Sequence, residues 1–267
     1  MTEYIVETKC GQVSGILENG YIVYKGIPFA KPPVGELRFK PPVDPEPWEG
    51  IKECFEYGPI EARPVSSIGG VVGGSSASKP SEDCLYLNVY IPKLDGKKRP
   101  VLFNIHGGAF QTGDHSLNSD PVGTTGMDCI LVTASYRLGV LGFLQVDKYL
   151  GEEYAQSGNC GMLDVIQALK WVNKNIEAFG GDPDNVMIMG QSGGGMKVES
   201  ILQMPSADGL VHKASIQSGL IYNDPKNPRE RTHENARQDA AKIVEALGLD
   251  EETIEKIETI PFYKLAK

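Results

Sequence analysis

Ser192 stands among glycines. The stretch from Val186 to Met196 reads VMIMGQSGGGM, with Gly190 ahead of the serine and Gly193, Gly194 and Gly195 behind it. A serine hydroxyl attacks a carbonyl carbon when a base takes its proton and nearby donors hold the negative oxygen that forms. Gly-x-Ser-x-Gly suits that task when it joins a strand to a helix. The serine then sits on a sharp turn above the end of a sheet, where side chains at positions 190 and 194 would collide with strand and helix. The helix behind it aims unpaired N–H groups and a positive dipole end at the serine. Taken alone, the same spacing also serves as a plain strand-to-helix connection.

A second stretch adds weight. Ile105 closes an apolar run, and His106, Gly107, Gly108 and Ala109 follow directly. Two glycines after a strand can present backbone N–H groups to a substrate oxygen, and one such donor is worth roughly 3 kcal/mol of barrier. His106 reads as a structural histidine that shapes this loop rather than one that moves protons.

Positioning these groups requires a particular set of elements. Leu85 to Ile91, Val101 to Ile105, Cys129 to Tyr136 and Val186 to Met189 are short apolar runs rich in β-branched residues, the pattern of strands covered on both faces. Lys213 to Gln217 reads as one more. Met162 to Phe179 has apolar residues at three- and four-residue spacing and is stopped by Gly180 and Gly181, so it predicts a helix. A helix is expected from near Gly194, with others over Asn235 to Leu247 and Glu251 to Ile260, the last capped by Asp250. Residues 1 to about 50 read as short strands and extended chain, with Tyr21 to Tyr24 a strand and the proline-rich run from Lys25 irregular or extended. Ser66 to Ser78, SSIGGVVGGSSAS, reads as a surface loop, either a linker or a flap. Strand and helix alternating through the middle of the chain predict an α/β fold with a largely parallel sheet and helices on its faces.

Composition excludes other classes. The net charge of -9 and the lack of a basic cluster argue against a nucleic-acid partner. No apolar run is long enough to span a bilayer, and the N-terminus does not read as a signal peptide. Cys10, Cys54, Cys84, Cys129 and Cys160 are odd in number and widely spaced, which predicts reduced thiols, a cytoplasmic location and no metal site.

Read together, these stretches resemble the type-B carboxylesterases, a branch of the α/β-hydrolase fold. GIPFAKPPVGELRF (Gly26 to Phe39), SEDCLYLNVYIP (Ser81 to Pro92), HGGAF (His106 to Phe110), YRLGVLGF (Tyr136 to Phe143), GNCGMLD (Gly158 to Asp164), AFGGDPDNV (Ala178 to Val186) and IQSG (Ile216 to Gly219) stand in that family's order over nearly all of the chain. The resemblance implies hydrolysis of a small-molecule ester without metal or organic cofactor. It implies Ser192 as nucleophile and the N–H groups of Gly107, Gly108 and Gly193 as the oxyanion hole. It also implies an ion pair of Arg38 with Glu82 that pins the N-terminal segment. The alternative it leaves open is a non-catalytic binding or adhesion protein on the same scaffold. Oligomeric state is not implied.

The chain departs from the family pattern at Gln191, usually Glu, and at Gly193, usually Ala. Gln191 removes a negative charge beside the nucleophile. The family's cysteine partner for Cys84 would fall near Glu61, so Cys84 is expected to be a free thiol, with Cys54 the only nearby candidate. The triad order on this fold is Ser, acid, His. After Ser192 only His212 and His233 follow, and neither stands where the family places its base; His115 precedes the serine and is expected near the pocket mouth. The resemblance places both acid and histidine beyond Lys267. Residues 1–267 are therefore expected to be the N-terminal portion of one hydrolase domain, with a sheet lacking its later strands.

Overall fold

The computed structural model describes residues 4–62, 79–116, 128–219 and 232–265; Ser66 to Ser78 lies outside them. The strands are β1 (Tyr4–Thr8), β2 (Gly11–Glu18), β3 (Tyr21–Pro28), β4 (Ile51–Glu53), β5 (Ile60–Glu61), β6 (Pro80–Ser81), β7 (Tyr86–Ile91), β8 (Arg99–Ile105), β9 (Ile130–Ala134), β10 (Gly181–Gln191) and β11 (Lys213–Gln217). The helices are α1 (Gly139–Phe143), α2 (Asp147–Leu150), α3 (Cys160–Asn175), α4 (Gly193–Ile201), α5 (His233–Ala246) and α6 (Phe262–Leu265).

The main sheet runs β1-β2-β3-β7-β9-β8-β10-β11, with β4 beside β2. It is mixed. From β1 to β9 each neighbour along this path is antiparallel, whereas β9, β8, β10 and β11 are parallel. β1, β2 and β3 make consecutive hairpins, while the β3–β7 and β7–β9 pairings join strands farther apart in sequence. Asn19 (φ 50°) and Gly20 (φ 86°) link β2 to β3, two residues that tolerate the left-handed backbone a tight hairpin turn needs. The parallel part carries the Ser192 turn. β3 extends to Pro28, farther than the proline-rich sequence suggests, because Ile27 and Pro28 pair with Leu87 and Tyr86 after a register shift.

Side chains alternate across this sheet with period two. Leu87, Val89, Val101, Phe103, Ile105, Ile130, Val132, Val186 and Ile188 face one way, against Val165, Leu169 and Val172 of α3 and Val198 and Ile201 of α4. Tyr90, Leu102 and Leu131 face the other way, with Met187 and Met189 packed against them, and among the described residues no helix contributes to that cluster. The α3 periodicity is real but continues past Asn175 only as a 3-10 turn, Ile176–Phe179, closed by Gly180 at φ 82°. The helix expected over Glu251 to Ile260 is instead a turn followed by a 3-10 segment, Ile254–Glu258. Asp250 does cap, accepting from the N–H groups of Glu252 and Thr253, but what it caps is a turn.

Two buried ion pairs fasten the sheet to what surrounds it. Arg137, just after β9, grips Asp164 of α3 with two guanidinium bonds of 2.8 and 2.7 Å, and its own N–H donates to the same carboxylate. Arg38 donates to Glu82 through Nε at 2.7 Å and through Nη2, and its Nη1 reaches the carbonyls of Ile257 and Ile260, both at 2.8 Å. The pair expected to pin the N-terminal segment therefore also holds residues near the other end of the chain. All five cysteines are free, Cys84 among them. Among the described residues no helix is long and apolar enough to cross a membrane.

Candidate active site

Gln191 ends β10, Gly193 begins α4, and Ser192 is the single residue between them. Its backbone sits at φ 56°, ψ -124°, a conformation that costs a non-glycine residue about 1–3 kcal/mol and tends to occur at functional positions. The turn is held from two sides. Ser192 N–H donates to the Gln217 carbonyl of β11 at 2.8 Å, and the Ser192 carbonyl accepts from Met196 N–H at 3.0 Å. The serine is exposed while Gly193, Gly194 and Gly195 are buried beneath it.

Each glycine there answers to a close backbone approach. A Cβ on Gly190 would run into the Gly194 carbonyl group, and one on Gly194 into the Ile105 carbonyl oxygen. Strand, turn and next strand are thus packed at backbone contact, which fixes Ser192 against the end of β8. Gly194→Ala is expected to lower stability by about 2–3 kcal/mol in urea unfolding, the cost of forcing a methyl into full space. Gly50→Ala is the control, because its Cβ meets nothing within 4 Å at φ 74°; it should cost only left-handed strain, about 1–2 kcal/mol. Equal losses at the two positions would show that the packing argument is wrong.

The loop after β8 folds over this turn. Gly108 (φ 104°), Ala109 (φ 53°) and Phe110 (φ 63°) are consecutive left-handed residues, and the Gly108 carbonyl accepts from Gln111 and Thr112 N–H. A Cβ built on Gly107 would stand 3.7 Å from Ser192 Cβ, and one on Gly193 would stand 2.6 Å from Ala109 N and 3.5 Å from Gly108 N. Gly107, Gly108, Gly193 and Ser192 are therefore brought together from two loops far apart in sequence. As the first residue of α4, Gly193 has no intrahelical acceptor for its N–H. Beyond the same loop lies a cavity of about 400 Å³, walled by Ala109, Phe110, Leu138, Leu141, Phe143 and Leu144 among others; Ser192 does not line it.

The four histidines stand elsewhere or are committed. His106 is buried and stacked on Tyr136 with ring centroids 4.2 Å apart; its Nδ1 lies 3.0 Å from the Tyr136 hydroxyl and 2.9 Å from the Gly107 carbonyl. Burial, followed by the Lys197 charge, pushes it down to about 3, so it is neutral at physiological pH and props the loop. His115 is not at a pocket mouth but buried, edge-on to Tyr57, and burial pushes it down to about 4. His212 Nδ1 accepts from Val186 N–H at 3.2 Å, midway along β10 and six residues before Ser192. His233 is exposed at the start of α5. Among the described residues none hydrogen-bonds Ser192 Oγ, and no group of His, Cys, Asp or Glu is arranged to hold a metal ion.

Sequence reasoning missed Lys197. A lysine in a helix reads as solvent-facing, yet this one is fully buried, with Nζ 3.3 Å from the Gly193 carbonyl and 4.0 Å from the centre of the Phe110 ring. The available signal was spacing: Lys197 lies four residues after Gly193, on the helix face that meets the turn.

A family model described as the carboxylesterase family matches residues 2–265. The para-nitrobenzyl esterase of Bacillus subtilis (strain 168) is 42% identical over 270 residues, covering 100% of this chain and 53% of the relative. The phenmedipham hydrolase of Pseudarthrobacter oxydans is 39% identical over 235 residues, covering 87% of this chain and 46% of its own length. Among solved structures, a carboxylesterase of Geobacillus stearothermophilus aligns with a TM-score of 0.84 at 42% identity, over 98% of this chain and 52% of that one. A thermophilic PNB esterase aligns with a TM-score of 0.88 at 40% identity, over 99% and 53%. The chain spans about half the length of these relatives, and its fold is that of the α/β-hydrolase carboxylesterases.

Proposed function

This chain belongs to the carboxylesterase family, and from that premise we propose that it hydrolyses carboxylic esters through an acyl-enzyme on Ser192. Ser192 Oγ attacks the ester carbonyl carbon while a base takes its proton. The carbonyl oxygen becomes an oxyanion held by the N–H groups of Gly107, Gly108 and Gly193. The carbon–oxygen bond to the alcohol breaks, the alcohol leaves with the proton, and the acyl group stays on Ser192. Water then attacks the acyl carbon and releases the carboxylic acid. The observation that carries this reading is the strained backbone of Ser192, held against the glycine loop after β8. Strain of this kind persists only where surrounding packing enforces it.

On this reading the triad's acid and histidine are carried by polypeptide outside residues 1–267, which the half-length coverage of the relatives supports. The substrate is a small-molecule ester. What supports a cytoplasmic location is that all five cysteines are unpaired, as thiols are in a reducing compartment.

A fluorophosphonate probe, with peptide mapping, tests the assignment. The label is expected on Ser192. Where a histidine is missing, added imidazole can take the proton, so imidazole should accelerate labelling of the 267-residue chain. A folded protein left unlabelled with imidazole present, or labelled elsewhere, would overturn the proposal.

A further inference from the structure

Lys197 is buried with its charge, and acyl transfer as written above makes no use of it. Its surroundings come from several parts of the chain. Nζ donates to the Gly193 carbonyl at 3.3 Å, from the turn itself. It lies 4.0 Å from the Phe110 ring centre, in the loop after β8, and 5.1 Å from that of Tyr136, after β9. Glu61 of β5, also buried, and His106 are the charged or titratable groups in electrostatic reach, with Tyr136 completing the set. An ammonium in such a place is costly unless partners repay its lost hydration, and the two π faces, one carbonyl and one distant carboxylate do so only in part. An apolar side chain would fill the space more cheaply. What an apolar side chain cannot do is tie two separate backbones through a directional donor and a cation–π contact.

We propose that Lys197 is a positioning residue for acyl transfer: it fastens the Gly107–Phe110 loop to the Gly193 end of the serine turn, so that the amides facing Ser192 stay in register. This rests on Ser192 being the nucleophile. Phe110 is the lever, because its ring lies on Lys197 and its backbone follows directly on Ala109, which touches Gly193. The charge of the clamp is adjustable near neutrality. Burial, opposed by the field of Glu61, pushes Lys197 down to about 7. His106 stays neutral above about 3, and burial raises the Tyr136 hydroxyl well above its ordinary range, so neither changes charge where Lys197 does. Below pH 7 the clamp carries its cation; above it the cation–π contact is lost.

The test measures fluorophosphonate labelling of Ser192 with imidazole present, on both sides of neutral pH and with urea unfolding in parallel, in wild type, Lys197→Met and the double variant Glu61→Gln/Lys197→Met. The double variant removes both members of the buried charge pair, so it keeps the test open if Lys197→Met fails to fold. Labelling is expected to fall about 10- to 100-fold, the usual penalty for displacing a reacting geometry by about an ångström. The loss should appear in the bond-forming rate and not in probe affinity. Imidazole deprotonation speeds both proteins alike, so the ratio of wild-type to double-variant labelling isolates the clamp, and that ratio should fall as pH rises through 7. A folded double variant that labels at the wild-type rate at every pH would overturn the proposal and leave the nucleophile assignment standing. Wild type without labelling at Ser192 would overturn both.

Discussion

Ser192→Gly is expected to abolish acylation and at the same time to stabilise the fold. Loss of the hydroxyl removes the nucleophile, so probe labelling with imidazole present should disappear. Stability moves the other way because of the backbone at φ 56°, ψ -124°. A residue with a Cβ is held there at about 1–3 kcal/mol, whereas glycine adopts that region freely. Glycine gives back about 0.5–1 kcal/mol through the greater freedom of its unfolded chain, which leaves a net gain of about 1 kcal/mol. Ser192→Ala separates the two effects, since it loses the hydroxyl but keeps the Cβ and hence the strain. Urea unfolding of the three proteins, with probe labelling alongside, decides the matter. Equal stability of the Gly and Ala variants would mean that no strain is stored at the serine.

Asp164→Ala should be among the most damaging single changes away from that turn. Arg137 and Asp164 side chains are 3% and 0% exposed, so removing the carboxylate leaves a guanidinium with no water to solvate it. Breaking a buried pair in this way costs about 3–5 kcal/mol, a large part of a typical stability of about 5–15 kcal/mol. Arg137 keeps its bond to the Lys40 carbonyl, too little to replace the carboxylate. The double change Arg137→Met/Asp164→Leu removes both charges and should recover most of the loss, because the expense lies in the orphaned charge and not in the missing bond. If Asp164→Ala costs under about 1 kcal/mol, the guanidinium must be finding water or another partner.

Much of this arrangement was legible in the residues. The runs through β7, β8 and β9 were readable because strands covered on both faces leave uninterrupted apolar stretches, whereas Lys213 to Gln217 forms a strand although all its residues are exposed or half-buried. The glycines around Ser192 were readable because only a Cβ-free residue survives a backbone approach that close. What escaped notice depends on partners distant in sequence. β10 begins at Gly181, five residues before the apolar run, because Gly181 pairs with Arg99, and pairing by backbone alone leaves no side-chain signature. Residues 251–260 show apolar positions at helical spacing, yet the Asp250–Thr253 hydrogen bonds tighten the chain into a turn first. The Arg137–Asp164 pair joins two motifs read separately, and only the fold puts one against the other. Lys197 was invisible because burial of a charge is decided by what closes over it.

The bonds of Arg38 also set a clock. Its carbonyl acceptors at Ile257 and Ile260 lie 219 and 222 residues downstream. At a synthesis rate of about 5–20 residues per second, Arg38 waits roughly 10–45 s on the ribosome before those acceptors exist. Glu82, only 44 residues on, reaches it far sooner. The ion pair is therefore the early contact and the carbonyl bonds the late one, so the second half of the guanidinium's hydrogen bonding is completed only once Ile260 has been made. Contacts of such long sequence separation slow folding, because the loop must close before the bond rewards it. For a chain whose first strands emerge ready to pair, Arg38 makes the arrival of residues 257–260, and not the first hairpin, the event that finishes the N-terminal region.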